Sequence, residues 1–471
     1  MKHLFYQPNQ GYVADIIPFY DEGRFHLFYL HDYRNVEKYG EGISWNHIST
    51  DDFLHYEDHG VAIPHGTKEA PDLCVFTGSV IKAEGQYHIF YTGSNYHRIP
   101  SGACQVILHA VSKDLSIWEK DQDFALAPTE EIDPIHFRDP FVYYDETEKL
   151  YKMILICRSK DGHELSGRSV RYTSSNLKDW TYEKVFWVPD MYINQECPDL
   201  FRIGEWYYYV FSEYSDTYKT HYVMSKSPDG PWQIPANPDF SSRAFYAAKT
   251  AFDGEKHYLF GWIPTRTDNH DDGLWQWGGS LCVLELKQHL DGTLGCILPQ
   301  SIEVAKNSCP RLSTITSQTT LSRIDGRIDT PFAKGISGTI RIDAEIQFVE
   351  NTREFGISMG RDFSQKQGYR FSFHPDAQMV QFGTLSFPCR TQGLSSPISL
   401  IPGTPVRLSI VIEDDIVVLY CQDAVICSRV CNAGEMDFAF YVIGGSAQID
   451  KITVFDYSSA THTPVIGNHQ G

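Results

Sequence analysis

Along the first 300 residues the apolar positions fall in short, strand-length runs, and five of these runs are variants of one pattern. Each has a charged or glycine start followed by an aromatic-rich strand, at residues 23–29, 85–91, 149–155, 205–211 and 255–261. Their starts lie 62, 64, 56 and 50 residues apart. A serine-led polar run ending in tryptophan follows three of them, at 112–118, 174–180 and 225–232, and a weaker copy occupies 50–56. Such runs read as turns between strands, and units of this length hold a four-stranded sheet, the blade of a β-propeller. Five repeats predict five blades across residues 1–302.

Upstream of each repeated strand, at a similar offset, lies a second apolar run that carries the residues breaking the pattern. These runs are 15–20, 76–81, 138–144, 196–201 and 245–250. Asp15 stands eight residues before Gly23, Asp139 ten before Lys149 and Glu196 nine before Glu205. If these are the innermost strands, pseudo-symmetry brings three carboxylates to one mouth of the central channel. Beyond 302 the pattern changes. Residues 303–318 read as a linker, and 319–460 hold strands of period two, in which Ile340, Ile342, Ala344, Ile346 and Phe348 alternate with polar residues, and Val406, Leu408, Ile410 and Ile412 repeat that two-residue spacing. This alternation predicts a β-sandwich, so the fold class is all-β, a five-bladed β-propeller followed by a C-terminal β-sandwich. The polar stretch 461–471 reads as a loosely ordered tail.

Charge narrows the partners. A formal net charge of -20 repels phosphate backbones and anionic membranes, so neither nucleic acid nor a membrane is expected as a partner, whereas a neutral carbohydrate is acceptable. Homo-oligomerisation is left open. The first ten residues lack a basic and apolar leader, and no segment approaches the ~20 apolar residues of a membrane span, which predicts a cytoplasmic protein. Eleven scattered cysteines with no Cys-x-x-Cys pair argue for reduced, buried thiols rather than disulfides or zinc. The acidic cluster 268–272 lacks the spacing of a calcium loop and reads as a solvated turn. No metal and no cofactor are expected.

Two or three acids sharing one pocket are what glycosidic bond cleavage requires, with one carboxylate as nucleophile and another group donating a proton to the leaving oxygen. Arg138, adjacent to Asp139, should hold that carboxylate ionised, which suits a stabilising role. Glu196 has no cation adjacent in sequence, and desolvation with like charges nearby should raise its pKa, as an acid/base catalyst needs. Asp15 is then the nucleophile. Blade cores consume most aromatics, with Trp45 the favoured exception as a sugar platform.

Taken in order, the early Asp15, Phe-Thr-Gly-Ser at 76–79, Arg-Asp-Pro at 138–140, Glu-Cys-Pro-Asp at 196–199 and Phe-Tyr-Ala-Ala at 245–248 resemble glycoside hydrolase family 32, the invertase, inulinase and levanase family. The resemblance covers nearly the whole chain. It implies a propeller joined to a sandwich, and a retaining hydrolase cleaving a β-fructofuranoside, of fructo-oligosaccharide or fructan type, through a covalent glycosyl-enzyme. It also implies Asp15 as nucleophile, Asp139 as transition-state stabiliser and Glu196 as acid/base, with Trp45, Phe76, Ser79, Arg138 and Tyr246 around the sugar; Asp32 is a further candidate for substrate binding. Residues 45–47, Trp-Asn-His, are similar to the family's Trp-Gly-His. The first motif departs from the family pattern, because Tyr-Val-Ala-Asp-Ile-Ile-Pro at 12–18 lacks both asparagines of Trp-Met-Asn-Asp-Pro-Asn-Gly, and Leu30 replaces a usual glutamine. His31, Asp32 and Arg34 are candidates to replace those amides, and sucrose becomes a less favoured substrate than a longer or modified fructoside. The alternatives are a fructosyltransferase that forms difructose anhydride or oligosaccharides, and a non-catalytic carbohydrate-binding propeller.

Overall fold

The computed structural model describes residues 2–461 except 161, 216, 364–366, 387–392 and 432–433, so all but the first residue of the expected tail lies outside the described residues. Blade I runs outward from the central channel as Tyr12–Asp21, Arg24–Asp32, Trp45–Thr50 and Glu57–Ile63. Blade II repeats this as Cys74–Ala83, Gln86–Ser94, Gln105–Ser112 and the short Glu119–Lys120. The innermost strands of blades III, IV and V are Ile132–Asp145, Asn194–Ile203 and Tyr246–Phe252. Within each blade, neighbours pair antiparallel in chain order. The repeated aromatic run is the second strand every time. Neighbouring blades cover both its faces, so it is buried at nearly every position, as in Gln86–Ser94, where all but the first residue are buried and His88, Thr92 and Ser94 are among them.

Blade IV is the exception to the expected four strands. After Thr220–Ser225 it keeps only two isolated bridges, His221 with Asp239 and Met224 with Gln233. Pro228, Pro231, Pro235 and Pro238 remove ladder donors where the outer strand would run. The serine-led signature also has a physical basis, since the Asp114 carboxylate accepts from the backbone N–H of Ser116 and Ile117, and the Asn176 amide from Lys178 and Asp179. These side-chain turns hold Leu115 and Leu177 at φ 63° and 61°. Trp118 and Trp180 then donate to the carbonyls of Leu115 and Leu177, and their rings meet Phe28 and Phe90 of the preceding blade edge-on at 5.7 and 5.5 Å. The signature is thus a turn and an inter-blade wedge in one.

In the carboxyl-terminal part, Met436–Asp456 runs through both layers of the sandwich. Its first half pairs with Glu354–Asp362 and its second with Ile340–Phe348, with the change of layer at Gly444 and Gly445. Gly444 stands at φ 58° and Gly445 at 154°, and a Cβ on Gly445 would lie 2.5 Å from the backbone of Thr352, so the corner requires glycine. The stretch 303–318 contains the strand Arg311–Ile315, which pairs with the end of Met436–Asp456. One apolar core is continuous from blades I, IV and V into the sandwich. Arg429 reinforces that seam, donating to the carbonyl of Pro264 at 2.9 Å and to Ser280 Oγ at 2.8 Å while pairing with Asp415. The ten cysteines among the described residues are free and buried, and no described helix is long and apolar enough to cross a membrane.

Candidate active site

Every innermost strand breaks register at the same place. The shifts fall between Ala14 and Ile16, between Phe76 and Gly78, opposite Asp139 and Pro140, between Glu196 and Asp199, and between Tyr246 and Lys249. Asp15, Asp139, Cys197 and Ala247 take φ values of 27°, 60°, 53° and 54°. A β-bulge re-aims the side chains around it. Repeated five times around one channel, it gathers Asp15, Phe76, Thr77, Arg138, Asp139, Glu196 and Tyr246 on the wall of a cavity of about 1040 Å³.

The three acids are held differently. Asp15 accepts from Thr77 Oγ1 at 2.6 Å and from Trp262 Nε1 at 3.1 Å. Burial raises its pKa to about 6, those two donors oppose the rise, and the Glu196 charge adds to it. Asp139 accepts from the Cys197 backbone N–H at 2.9 Å, and burial pushes it up to about 7. The Arg138 charge opposes that rise, as adjacency suggests, but burial outweighs it. The Arg138 guanidinium donates to Glu196 Oε1 at 2.7 Å and comes only within 3.9 Å of Asp139, because the bulge separates side chains that are neighbours in sequence. Tyr246 donates its phenol proton to Glu196 Oε2 at 2.7 Å, with the Glu213 carbonyl at 3.1 Å as a second acceptor. Glu196 therefore has a donor on each oxygen.

Of the residues expected around a sugar, Phe76, Arg138 and Tyr246 line the cavity and three do not. Trp45 is fully buried and donates from Nε1 to the Phe76 carbonyl at 3.2 Å, so it backs the wall and leaves no face for stacking. Ser79 accepts from the Val142 N–H at 2.9 Å, a tie between blades II and III that Asp199 and Thr250 repeat between blades IV and V. Asp32 accepts from the Arg34 N–H at 2.8 Å; Arg34 reaches on to Gln276 Oε1 at 2.8 Å and to the Trp277 carbonyl at 2.7 Å. Asp32 and Arg34 thus act on the cavity indirectly. His31 is buried against Tyr33, 4.0 Å between ring centres, with Nε2 at the Gln10 carbonyl. None of the three takes the place of the missing amides on the wall.

The sequence reading missed Thr77 and Trp262, the two donors to Asp15, although Thr77 lies inside a motif already singled out. It also missed the wall formed by Leu274, Trp275, Gln276 and Trp277. That segment follows the acidic turn 268–272 and carries no repeat signal. Among the described residues, no group of three or more His, Cys, Asp or Glu is arranged to hold a metal ion.

Comparison with known proteins agrees with this architecture. The family model described as Glycosyl hydrolases family 32 N-terminal domain matches residues 5–288. A sucrose-6-phosphate hydrolase of Escherichia coli is 32% identical over 221 residues, 45% of this chain and 43% of that protein. A levanbiose-producing levanase of Bacillus subtilis (strain 168) is 31% identical over 193 residues, 40% of this chain and 34% of that protein. The matched stretch thus spans less than half the length of these curated relatives. Among solved structures, a sucrose-6-phosphate hydrolase from Lactobacillus gasseri superposes with a TM-score of 0.75 at 18% identity, covering 98% of this chain and 93% of that one. An exo-inulinase from Aspergillus awamori gives 0.74 at 19% identity, covering 97% and 98%. At these identities the structures speak for the fold alone.

Proposed function

Since the chain belongs to glycoside hydrolase family 32, we propose that it is a retaining glycosidase that cleaves a β-fructofuranoside through a covalent glycosyl-enzyme. The observation that carries this reading is one cavity in which Asp15, Asp139 and Glu196 converge with Arg138 and Tyr246. In the first step the Asp15 carboxylate attacks the anomeric carbon, the glycosidic C–O bond breaks, and the departing oxygen takes the Glu196 proton. In the second, Glu196 as carboxylate takes a proton from water, the water oxygen attacks the same carbon, and the ester to Asp15 breaks. Asp139 lies beside the reacting ring to stabilise its developing positive charge. The ionised nucleophile is favoured by two donors already aimed at its oxygens, which need no rearrangement as charge moves.

The substrate is a fructo-oligosaccharide or fructan-type chain rather than sucrose. Residues 12–18 present no amide to the reacting ring, and the amide oxygens of the two glutamines on the wall are engaged, Gln105 Oε1 by the Phe137 N–H and Gln276 Oε1 by Arg34. Ten free, buried thiols fit residence in the cytoplasm. Incubation with a panel of fructosides and fructans, with analysis of products, tests the reading. Free fructose or short fructosides should appear faster from longer substrates than from sucrose, and a chain that cleaves none of them would refute it.

A further inference from the structure

The wall segment from Leu274 to Trp277 is not held by the propeller alone. It leaves the end of the strand His257–Arg266 through a tight turn, in which Thr267 N–H donates to the Leu274 carbonyl at 2.9 Å and Gly273 N–H to His270 at 2.8 Å. In the middle of that turn, Asp271 points away from the cavity and meets the sandwich. The Tyr369 hydroxyl lies 3.0 Å from both Asp271 oxygens and 2.6 Å from the Cys431 carbonyl, and the Cys431 N–H donates to Asp271 Oδ1 at 3.4 Å. Arg266 closes the other side, donating to the Asp271 carbonyl at 2.5 Å and lying 3.7 Å over the Trp275 ring.

Depth decides what this wall meets. Asp139 is 3% exposed at the base of the cavity, whereas Leu274 and Trp277 are 79% and 38% exposed at its rim. Trp277 stands edge-on to Phe76 across the mouth, 6.5 Å between ring centres. A furanosyl ring reaching the acids fills the base, so the rim is left to whatever the substrate carries beyond the reacting ring. Exposed aromatic and aliphatic faces at that depth suit the apolar faces of further sugar units.

We infer that Tyr369, a residue of the sandwich, is a specificity-determining positioning residue that fixes the Leu274 to Trp277 rim through Asp271 and so sets how well longer fructosides bind. The inference rests on the reading of the cavity as a fructosidase site. It assigns the carboxyl-terminal sandwich a part in substrate choice although Tyr369 itself touches no substrate.

Tyr369→Phe removes one hydroxyl and keeps the buried ring. In the full chain it should raise KM about fivefold for tri- and tetrasaccharide fructosides with little loss of kcat, as removal of uniform binding does. Fructosyl fluoride, whose leaving group carries no sugar, should be turned over within about twofold of the unmodified enzyme. Asp271→Asn should reproduce the pattern, and the double variant should lose less than the two single losses combined, because both changes break the Tyr369–Asp271 contact. An equal loss on all substrates, no loss on any, or additive effects in the double variant would overturn the inference. Hydrogen exchange of the 267–277 amides tests the clamp independently of any sugar. It should quicken in Tyr369→Phe, and unchanged exchange contradicts the clamp. Failure of the unmodified enzyme to act on any fructoside, with exchange altered as expected, would count against the proposed activity and leave the clamp standing.

Discussion

Asp15 illustrates how one carboxylate is tuned by what surrounds it. Burial lifts it to about 6, and the hydrogen bonds from Thr77 and Trp262 keep it from rising further. Both the nucleophile and the stabilising Asp139 must be ionised, so kcat/KM should fall as pH drops through about 7, where Asp139 is protonated, and more steeply below about 6, where Asp15 follows, well above the ordinary aspartate value of 3.8. Thr77→Val removes a group that favours the charged form and should move that acid limb to higher pH, while Thr77→Ser should leave it in place. A pH profile that ignores Thr77→Val would show that another group controls the limb. At this scale the sequence was only partly legible. Repeat position pointed to three acids that the structure brings into one cavity, but which donor faces which acid depends on where a bulge turns the chain, so adjacency alone did not show that Arg138 donates to Glu196.

At the scale of elements, the bulges are the device that builds the site. Ala247 has no side chain to place in the cavity, yet it is fully buried at φ 54°, which isolates the backbone requirement from the chemistry. Ala247→Val puts a β-branched side chain in a conformation it resists and overfills the core. It should cost about 2–4 kcal/mol, read from denaturant midpoints. The second strands carry a different liability. His26 and His88 occupy equivalent repeat positions and meet His47 and His109 at 3.0 Å through ring nitrogens. Burial lowers His26 and His109 to about 4 and His47 to about 2. Their neutral forms are therefore favoured in the fold, and the unfolded chain binds more protons below the ordinary value of 6.5. The stability they supply is complete above that value and is lost as pH falls toward 4. Thermal midpoints should decline through this window, and His47→Phe, which keeps the ring stacked on Phe28, should flatten the decline. The repeat itself was readable because aromatic strands and serine-led turns recur. The missing outer strand of blade IV was also written in its four prolines.

Across the whole molecule, the change from a repeat of 50 to 64 residues to period-two strands distinguished the two architectures in the sequence alone. What joins them was not legible, since Arg429 and Tyr369 carry no pattern and Asp271, within a cluster read as a solvated turn, is instead held against the sandwich by contacts distant in the chain. The apolar core that continues from propeller into sandwich makes the second unit a support for the first. The central claim is nevertheless local: a covalent bond between sugar and Asp15, made with the help of Glu196. It is tested most directly by rapid-quench release from an aryl β-fructofuranoside with a good leaving group, followed by mass analysis of the quenched protein. Glu196→Ala should release a burst of phenol matching the enzyme concentration and then stall, with one fructosyl unit esterified to the peptide that contains Asp15. Asp15→Ala should give no burst and no adduct. A burst from the Asp15 variant, or an adduct on any other residue, would contradict the account.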